Sequence, residues 1–499
     1  MPAAWTVRCP MPVRTRYAPS PTGVPHVGNI RTALFSYLLA RHHGGQFLLR
    51  LEDTDRARYD PDAPAAIMES LRWLGMEWDE GPGVGGPYAP YVQSERLEFY
   101  RAAADHLIAS GHAYECWCSP KRLEELRAEQ TRRKQPPGYD RRCRSEEGRA
   151  AARREAGAEG RTTPVVRFAT PYSGEVTLHD AVRGDITFDV ATLDDFVILK
   201  SDGYPTYHLG YMVDDDMMGI THVMRGDEWI SSAPRHLLMY EALGMEVPVI
   251  AHLPVILGPD GSKLSKRHGA TSVFDYRDEG YLPEALFNFL GLLGWSLDDR
   301  TEILSHDEFI KHFTLERVVR NPAVFNVDKL RWMNGVYIRD MHEERLIDLF
   351  VDRLERDLPP AVERPVDRGL VARIAPLIRE RIKLLTEVVE YTDFFFIDQL
   401  SYAREELLGK AFKDRADDAR AALERSLAAA ESVDEWEHGA LETALRALAE
   451  SLSLKAGDLF SLLRVAVTGK RVSPPLFETM EVLGKDRCVA RIKAAVAAL

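Results

Sequence analysis

Cysteine is scarce in this chain, with five in 499 residues. That is too few for a disulfide framework and fits a protein kept in a reducing cytoplasm. Long apolar runs are missing too. No stretch approaches the ~20 uncharged apolar residues that cross a bilayer; Leu286 to Trp295, broken by Asn288, is among the most apolar. No membrane partner is expected. Met1 to Pro10 lacks a basic flank leading into an apolar run, so no secretory signal is expected, and Met11 is a candidate start. Positive charge is not in excess: 64 Lys and Arg face 77 Asp and Glu, a net charge of −13. This excludes a histone-like polycation and confines any nucleic-acid contact to local patches. There is no G-x-x-x-x-G-K-[S/T] loop, which excludes the commonest nucleoside triphosphatases. Gly81-x-Gly83-x-x-Gly86 fits a dinucleotide-binding expression, but Pro82 and Pro87 interrupt it and no strand leads in, so it reads as a loop.

What is present is a globular composition, 45% apolar and 28% charged, long enough for about three domains. The class is a multidomain enzyme or a large binding protein. In the first half, Val13 to Tyr17 reads as a strand, Ile30 to His42 as a helix, Gln46 to Leu51 as a strand and Ala65 to Leu74 as a helix. That alternation is the signature of an α/β unit with a parallel sheet. Phe196 to Leu199 and Val247 to Leu257 could supply further strands of the same sheet. Lys121 to Arg154 carries 12 basic and 6 acidic residues. It reads either as a solvated helical hairpin or as a basic insertion that touches phosphates. The last 99 residues hold 20 Ala and only 2 Pro, which predicts a helical module rather than a β-barrel.

Two segments carry chemistry. In Arg16 to Asn29 a strand runs through a Pro- and Gly-rich loop into a helix whose first turn holds His26, Val27 and Gly28. Free backbone N–H groups and the positive dipole end suit a phosphate, His26 can donate to its oxygens, and Gly28 leaves room for a flat purine. Alone, the segment also reads as a plain strand–loop–helix turn. Gly258 to Gly269 places Lys263 and Lys266 three residues apart among glycines. Such a loop can close over a polyphosphate and neutralise charge during phosphoryl or nucleotidyl transfer, or be an ordinary basic surface loop. The two occur in order, 237 residues apart, which argues for a shared nucleotide site.

At these residues the chain closely resembles class I aminoacyl-tRNA synthetases. Pro25-His26-Val27-Gly28 is similar to their "HIGH" signature and Lys263-Leu264-Ser265-Lys266-Arg267 to their "KMSKS" loop. Ala18 to Gly23, Leu51 to Asp55, Asp202 to Tyr207 and Leu330 to Gly335 resemble the form found in the glutamyl-tRNA synthetases of bacteria. The resemblance runs from about residue 14 to the C-terminus.

The resemblance implies a two-step reaction: glutamate and ATP give glutamyl-adenylate, and the acyl group then passes to the terminal adenosine of tRNA(Glu). In this subgroup tRNA must be bound before the first step proceeds. It implies His26, Gly28, Glu228, Trp229, Leu257 and Lys266 around ATP, with Lys263, Lys266 and Mg²⁺ at the leaving pyrophosphate. Arg16 and Arg225 would take the carboxylates of glutamate and Glu52 its ammonium, with Ala18, Ser20 and Tyr207 completing the pocket. Guanidinium forks suit carboxylates because two parallel hydrogen bonds fix the plane. One position departs: where some members carry Asn near the substrate side chain, this chain has Tyr211. No proofreading domain is visible, and a charged substrate does not demand one.

Cys116-x-Cys118 and Tyr139-x-x-x-Cys143 resemble the zinc site that some members carry in the acceptor-binding insertion. Others use a His two residues after the third Cys; here that slot is Ser145, and Tyr139 is the replacement ligand for one structural Zn²⁺. Arg379 and Arg381, on an expected helix, lie where the family places arginines that read the third anticodon base, although solvated surface arginines would look the same. The implied fold is a Rossmann-type parallel-sheet catalytic domain (1–115 and 191–255) with an inserted acceptor-binding domain (116–190). A lysine-loop and stem-contact domain (256–335) and two all-helical anticodon-binding domains (336–400 and 401–499) follow. A cytoplasmic monomer is expected.

Rival readings each predict something different. A glutaminyl enzyme would carry C-terminal β-barrels; a relative that modifies a tRNA base would lack the C-terminal domain; small adenylyltransferases are far shorter. A non-catalytic tRNA-binding paralogue would have lost His26, Lys266 or Arg16, and all three stand. A non-discriminating enzyme that also charges tRNA(Gln) is not separated from a discriminating one by these residues.

Overall fold

A computed structural model describes residues 12–265, 267 and 272–499. Met1, Met11 and Lys266 lie outside the described residues. The chain divides into two compact units, one formed by Met1–Tyr276 with Leu286–Asn326, the other by Arg277–Ala285 with Val327–Leu499.

The first unit opens with β1 (Arg14–Tyr17), α1 (Val27–His42), β2 (Gln46–Leu49) and α2 (Ala63–Trp73). β1 pairs with β2 in parallel, Arg14 opposite Gln46 and Tyr17 opposite Leu49. Parallel strands need a crossover, and α1 supplies it. It is apolar nearly all round, as a helix packed against a buried sheet must be: Ile30, Leu34, Phe35, Leu38 and Leu39 are all buried. α1 starts three residues earlier than periodicity predicts, because the side chain of His26 caps it by accepting from the N–H of Gly28.

α3 (Leu97–Ala109) leads to the inserted region: β3 (Ala113–Cys116), α4 (Pro120–Arg132), α5 (Glu146–Ala158) and β4 (Val165–Phe168), then β5 (Glu175–Asp180), β6 (Gly184–Asp189) and β7 (Val197–Leu199). α4 buries none of its residues and α5 only Ala152 and Ala156, so the basic segment forms two helices whose side chains are largely exposed. β7 differs from expectation. It joins β3 and β4 in a three-stranded antiparallel sheet instead of extending the parallel one. Leu199 pairs with Val166, and Phe196 stacks on Phe168 with ring centroids 5.4 Å apart. Apolar composition marks a strand, but packing across the insertion chooses its partner.

α6 (Tyr207–Met217), β8 (His222–Gly226), α7 (Ala233–Leu243), β9 (Val249–Leu253) and β10 (Ile256–Leu257) complete this half. β8 and β9 pair in parallel within the order β6-β5-β9-β8. β8 begins beside β1, where the N–H of Thr221 donates to the Arg14 carbonyl at 2.9 Å. The C-terminal ends of β1, β2, β8 and β9 therefore open onto one crevice, the place where open α/β sheets bind ligands.

Beyond Val327 every element among the described residues is helical. This excludes the β-barrels of the glutaminyl alternative. One apolar core gathers Ile338, Leu346, Phe350, Leu354, Val371 and Ile378; another gathers Leu423, Leu441, Leu445, Leu459, Met480 and Ile492. Fully buried Ala419 and Ala495 let the helices Ala416–Glu431 and Lys485–Ala498 approach closely, which explains the alanine-rich tail.

Candidate active site

A cleft of about 830 Å³ lies over the C-terminal ends of the parallel strands. Arg16, Ala18, Ser20, His26, Gly28, Glu52, Tyr207, Arg225, Glu228, Trp229 and Lys263 all line it. The strand ends account for this: the loop after β1 brings Ala18 and Ser20, that after β2 brings Glu52, and that after β8 brings Glu228 and Trp229.

His26 stands at the start of α1, its Nδ1 accepting the Gly28 N–H at 3.0 Å. In the neutral ring the proton then sits on Nε2, a donor. A Cβ on Gly28 would lie 3.3 Å from His26 Nδ1, so glycine keeps the ring in its capping position. The lysine loop folds back as a turn, Gly258 N–H to Ser262 carbonyl at 2.8 Å, with Gly261 at φ +75°, a backbone angle that favours glycine. An isolated bridge pairs Leu257 with Lys263, and another returns the chain to His26 at Ser272. Two segments far apart in sequence thus meet at one cleft.

The part of the cleft around Arg16 and Glu52 rests on buried charges. Arg16 Nε donates to Asp215 at 3.0 Å. Arg50, fully buried, binds Asp215 at 2.7 Å and Glu52 at 2.9 Å. Burial pushes the Glu52 carboxyl above its usual range, against the pull of Arg50. Asp214 completes the cluster, accepting from Arg96 at 2.7 Å, Tyr100 at 2.8 Å and Gln93 at 2.9 Å. Buried ions persist only when paired and hydrogen-bonded, and each of these is.

Two expected contacts fall elsewhere. Tyr211, one turn after Tyr207 on α6, is 1% exposed and stacks behind it at 5.0 Å without lining the cleft. Tyr207 meets the indole of Trp229 at 3.9 Å, so Tyr211 supports the aromatic wall instead of forming it. Leu257 is likewise not in the cleft wall. Conversely, the sequence reading missed Arg31, Lys200 and Arg58, which line the cleft. Burial lowers Arg31 to about 10, leaving it a cation at neutral pH. It missed Asp214 and Asp215 as well; three successive acidic residues after the apolar Leu209 to Val213 were the available signal.

In the insertion, the Sγ atoms of Cys116, Cys118 and Cys143 lie within 4.8 Å of one another. The Tyr139 hydroxyl is 3.3 Å from Cys116 Sγ and 3.6 Å from Cys118 Sγ, and accepts the Cys143 N–H at 2.9 Å. Arg122 approaches Cys118 Sγ at 3.6 Å and Arg167 lies 3.9 Å over the Tyr139 ring, cations that suit anionic donors. Three soft sulfur donors and one oxygen fit a tetrahedral zinc ion. In the helical unit, the helix Arg368–Ile378 stops before Arg379. Buried Ile378 and Ile382 turn the chain there, leaving Arg379 half-buried and Arg381 exposed in the turn rather than on a helix.

The sequence matches the family described as tRNA synthetases class I (E and Q), catalytic domain, over residues 12–332, and an anticodon binding domain family over residues 345–496. It is 50% identical to a glutamate–tRNA ligase of Dehalococcoides mccartyi, across 98% of each chain. To a glutamate–tRNA ligase of Acidothermus cellulolyticus it is 47% identical, over 98% of this chain and 96% of that one. The chain belongs to the glutamate–tRNA ligase family of class I tRNA synthetases. A crystal structure of a glutamate tRNA ligase from Elizabethkingia meningosepticum, in complex with its amino acid, superposes with a TM-score of 0.87 at 37% identity, covering 98% of this chain and 100% of that one. The ligase family therefore spans both compact units, and its catalytic-domain match contains every cleft residue named above.

Proposed function

We propose that this protein ligates L-glutamate to the 3′ end of tRNA(Glu) at the expense of ATP, with the cleft of the first unit as its active site. The observation that carries this is the meeting of His26 and Lys263 in one cleft with Arg16, Glu52 and Arg225. In the first step a glutamate α-carboxylate oxygen attacks the α-phosphorus of ATP, the bond to the pyrophosphate oxygen breaks, and glutamyl-adenylate forms. In the second, a hydroxyl of the terminal ribose attacks the acyl carbon and AMP leaves.

Displacement at phosphorus needs positioning and charge stabilisation more than proton transfer. His26 Nε2–H and the first-turn N–H groups of α1 hold phosphate oxygens, beside Gly28, Glu228 and Trp229 around the nucleotide. Leu257 acts from behind through its pairing with Lys263. Lys263 and Lys266 neutralise the departing pyrophosphate, and Mg²⁺ arrives with the triphosphate as part of the substrate. Arg16 and Arg225 hold the two carboxylates of glutamate and Glu52 its ammonium, with Ala18, Ser20 and Tyr207 as the walls and Tyr211 bracing Tyr207.

Residues 116–190 form the acceptor-binding insertion, braced by one structural Zn²⁺ on Cys116, Cys118, Cys143 and Tyr139. Residues 256–335 carry the lysine loop and a stem contact, and 336–400 and 401–499 bind the anticodon, with Arg379 and Arg381 at its third base. The protein acts as a cytoplasmic monomer; Cys116, Cys118, Cys143 and Cys488 form no disulfide, and no helix among the described residues is long and apolar enough to cross a membrane.

ATP–pyrophosphate exchange with glutamate, run with and without tRNA(Glu), tests the reading. Exchange that requires both glutamate and tRNA is expected; exchange with glutamine instead, or none under either condition, overturns it.

A further inference from the structure

Arg225 is held differently from the arginines around it. Arg14, Arg16, Arg50 and Arg96 each touch a carboxylate directly, at 2.7 to 3.0 Å. Arg225, 5% exposed, is held by two imidazoles: its Nε donates to His252 Nε2 at 2.9 Å, and its Nη1 lies 3.3 Å from His236 Nδ1. A guanidinium only donates, so both ring nitrogens facing it are acceptors. The remaining protons of the neutral rings then sit on His252 Nδ1 and His236 Nε2. Each has an acceptor, Asp180 Oδ2 at 2.6 Å and His208 Nδ1 at 2.9 Å. Asp180 is itself fixed by the N–H groups of Val182 at 2.9 Å and Arg183 at 2.7 Å. Donation therefore runs outward from Arg225 along both arms, from Arg225 to His252 to Asp180 and from Arg225 to His236 to His208. Protonating either ring beside Arg225 would set two cations at hydrogen-bond distance, and burial opposes it.

One atom is left over. Arg225 Nη2 is buried and has no hydrogen-bond partner, on a side chain that lines the cleft. A buried charged donor without an acceptor is unfavourable unless a ligand supplies one. We infer that His252, oriented by Asp180, and His236, oriented by His208, are positioning residues that fix the Arg225 guanidinium for a carboxylate of the amino-acid substrate. Because the rings are neutral, Arg225 keeps its charge for the ligand, whereas a directly bound carboxylate would share it. This rests on the ligase reading given above.

The test is pyrophosphate exchange by the full chain with tRNA(Glu), with glutamate and ATP varied separately. His252→Ala, His236→Leu and Asp180→Asn each raise the glutamate KM by about tenfold to hundredfold, the range for a lost hydrogen bond to a charged group. The ATP KM stays within about twofold. His252→Gln restores most of the loss, since its amide can accept from Arg225 and donate to Asp180. Should His252→Ala or His236→Leu fail to fold, the near-isosteric Asp180→Asn decides. A glutamate KM within about twofold of the parent, or glutamate and ATP KM rising together, overturns the inference. Absence of glutamate-dependent exchange in the parent protein would instead overturn the ligase reading.

Discussion

The Nδ1 atom of His26 accepts the N–H of Gly28 at 3.0 Å, so one imidazole both caps α1 and lines the cleft. Cap and chemistry separate by substitution. His26→Ala loses both, costing about 1 kcal/mol of stability and slowing adenylate formation by about 100-fold or more. His26→Asn keeps a cap and should recover the melting temperature but not the exchange rate. Equal recovery of both would assign His26 a structural role only.

Lys263 lies in the cleft, and Lys266 follows three positions later in the sequence. Removing a cation that meets charge developing on the pyrophosphate lowers the rate with little effect on folding. Lys266→Ala and Lys263→Ala should each slow adenylate formation by roughly 100-fold or more. Far-UV circular dichroism should stay unchanged. Near-normal exchange in Lys266→Ala rejects the role given to it.

How much of this was legible beforehand depended on whether the information was local. The β1–α1–β2 unit was readable because turn residues, apolar period and His26 sit within one short stretch. Cleft residues came from motifs, each carried by a few neighbouring positions. What escaped notice depends on tertiary partners. Val197–Leu199 is as apolar as a parallel strand but pairs with Val166 in the insertion. Asp215 meets Arg16 across 199 residues, and no periodicity encodes that ion pair. Tyr211 sits next to the pocket motif, yet its position on α6 places it behind Tyr207.

Cys118 and Cys143 Sγ atoms stand 3.6 Å apart beside the Tyr139 hydroxyl. With this donor set the purified protein should hold one Zn²⁺ per chain by elemental analysis. Cys143→Ser should lose most of the metal and lower the melting temperature, since structural zinc is folding free energy. Metal at well under a tenth of an equivalent removes the site. Tyr139→Phe is the milder variant, expected to retain part of the zinc and to isolate the oxygen donor's share.

Arg379 donates to the Met341 carbonyl, whereas Arg381 stands exposed in the turn after the helix. Of the two, Arg381 has the reach for a base and Arg379 a bracing role. Arg381→Gln should narrow the discrimination between glutamate and glutamine tRNAs, read as the ratio of their kcat/KM values, by roughly 10-fold. An unchanged ratio counts against anticodon reading at this residue.

The histidine line predicts how stability depends on pH. Burial and the charges of Arg235 and Arg225 lower His208 to about 4, so the folded protein keeps this ring neutral where the unfolded chain, near 6.5, begins to protonate. Between those values the unfolded state binds more protons, so stability falls as pH drops from about 6.5 toward 4 and is fully present above that range. At pH 5 the His208 contribution lost relative to pH 7.5 is about 1–2 kcal/mol after allowing for its partial exposure. The melting temperature should therefore fall between pH 7.5 and pH 5. In His208→Gln, which still offers His236 an acceptor, the fall should be smaller by a few degrees. Carboxylates elsewhere contribute equally to both proteins, so the difference in slope isolates this ring. Parallel slopes would mean that His208 is protonated in the folded state, with no lone pair left on Nδ1 for His236.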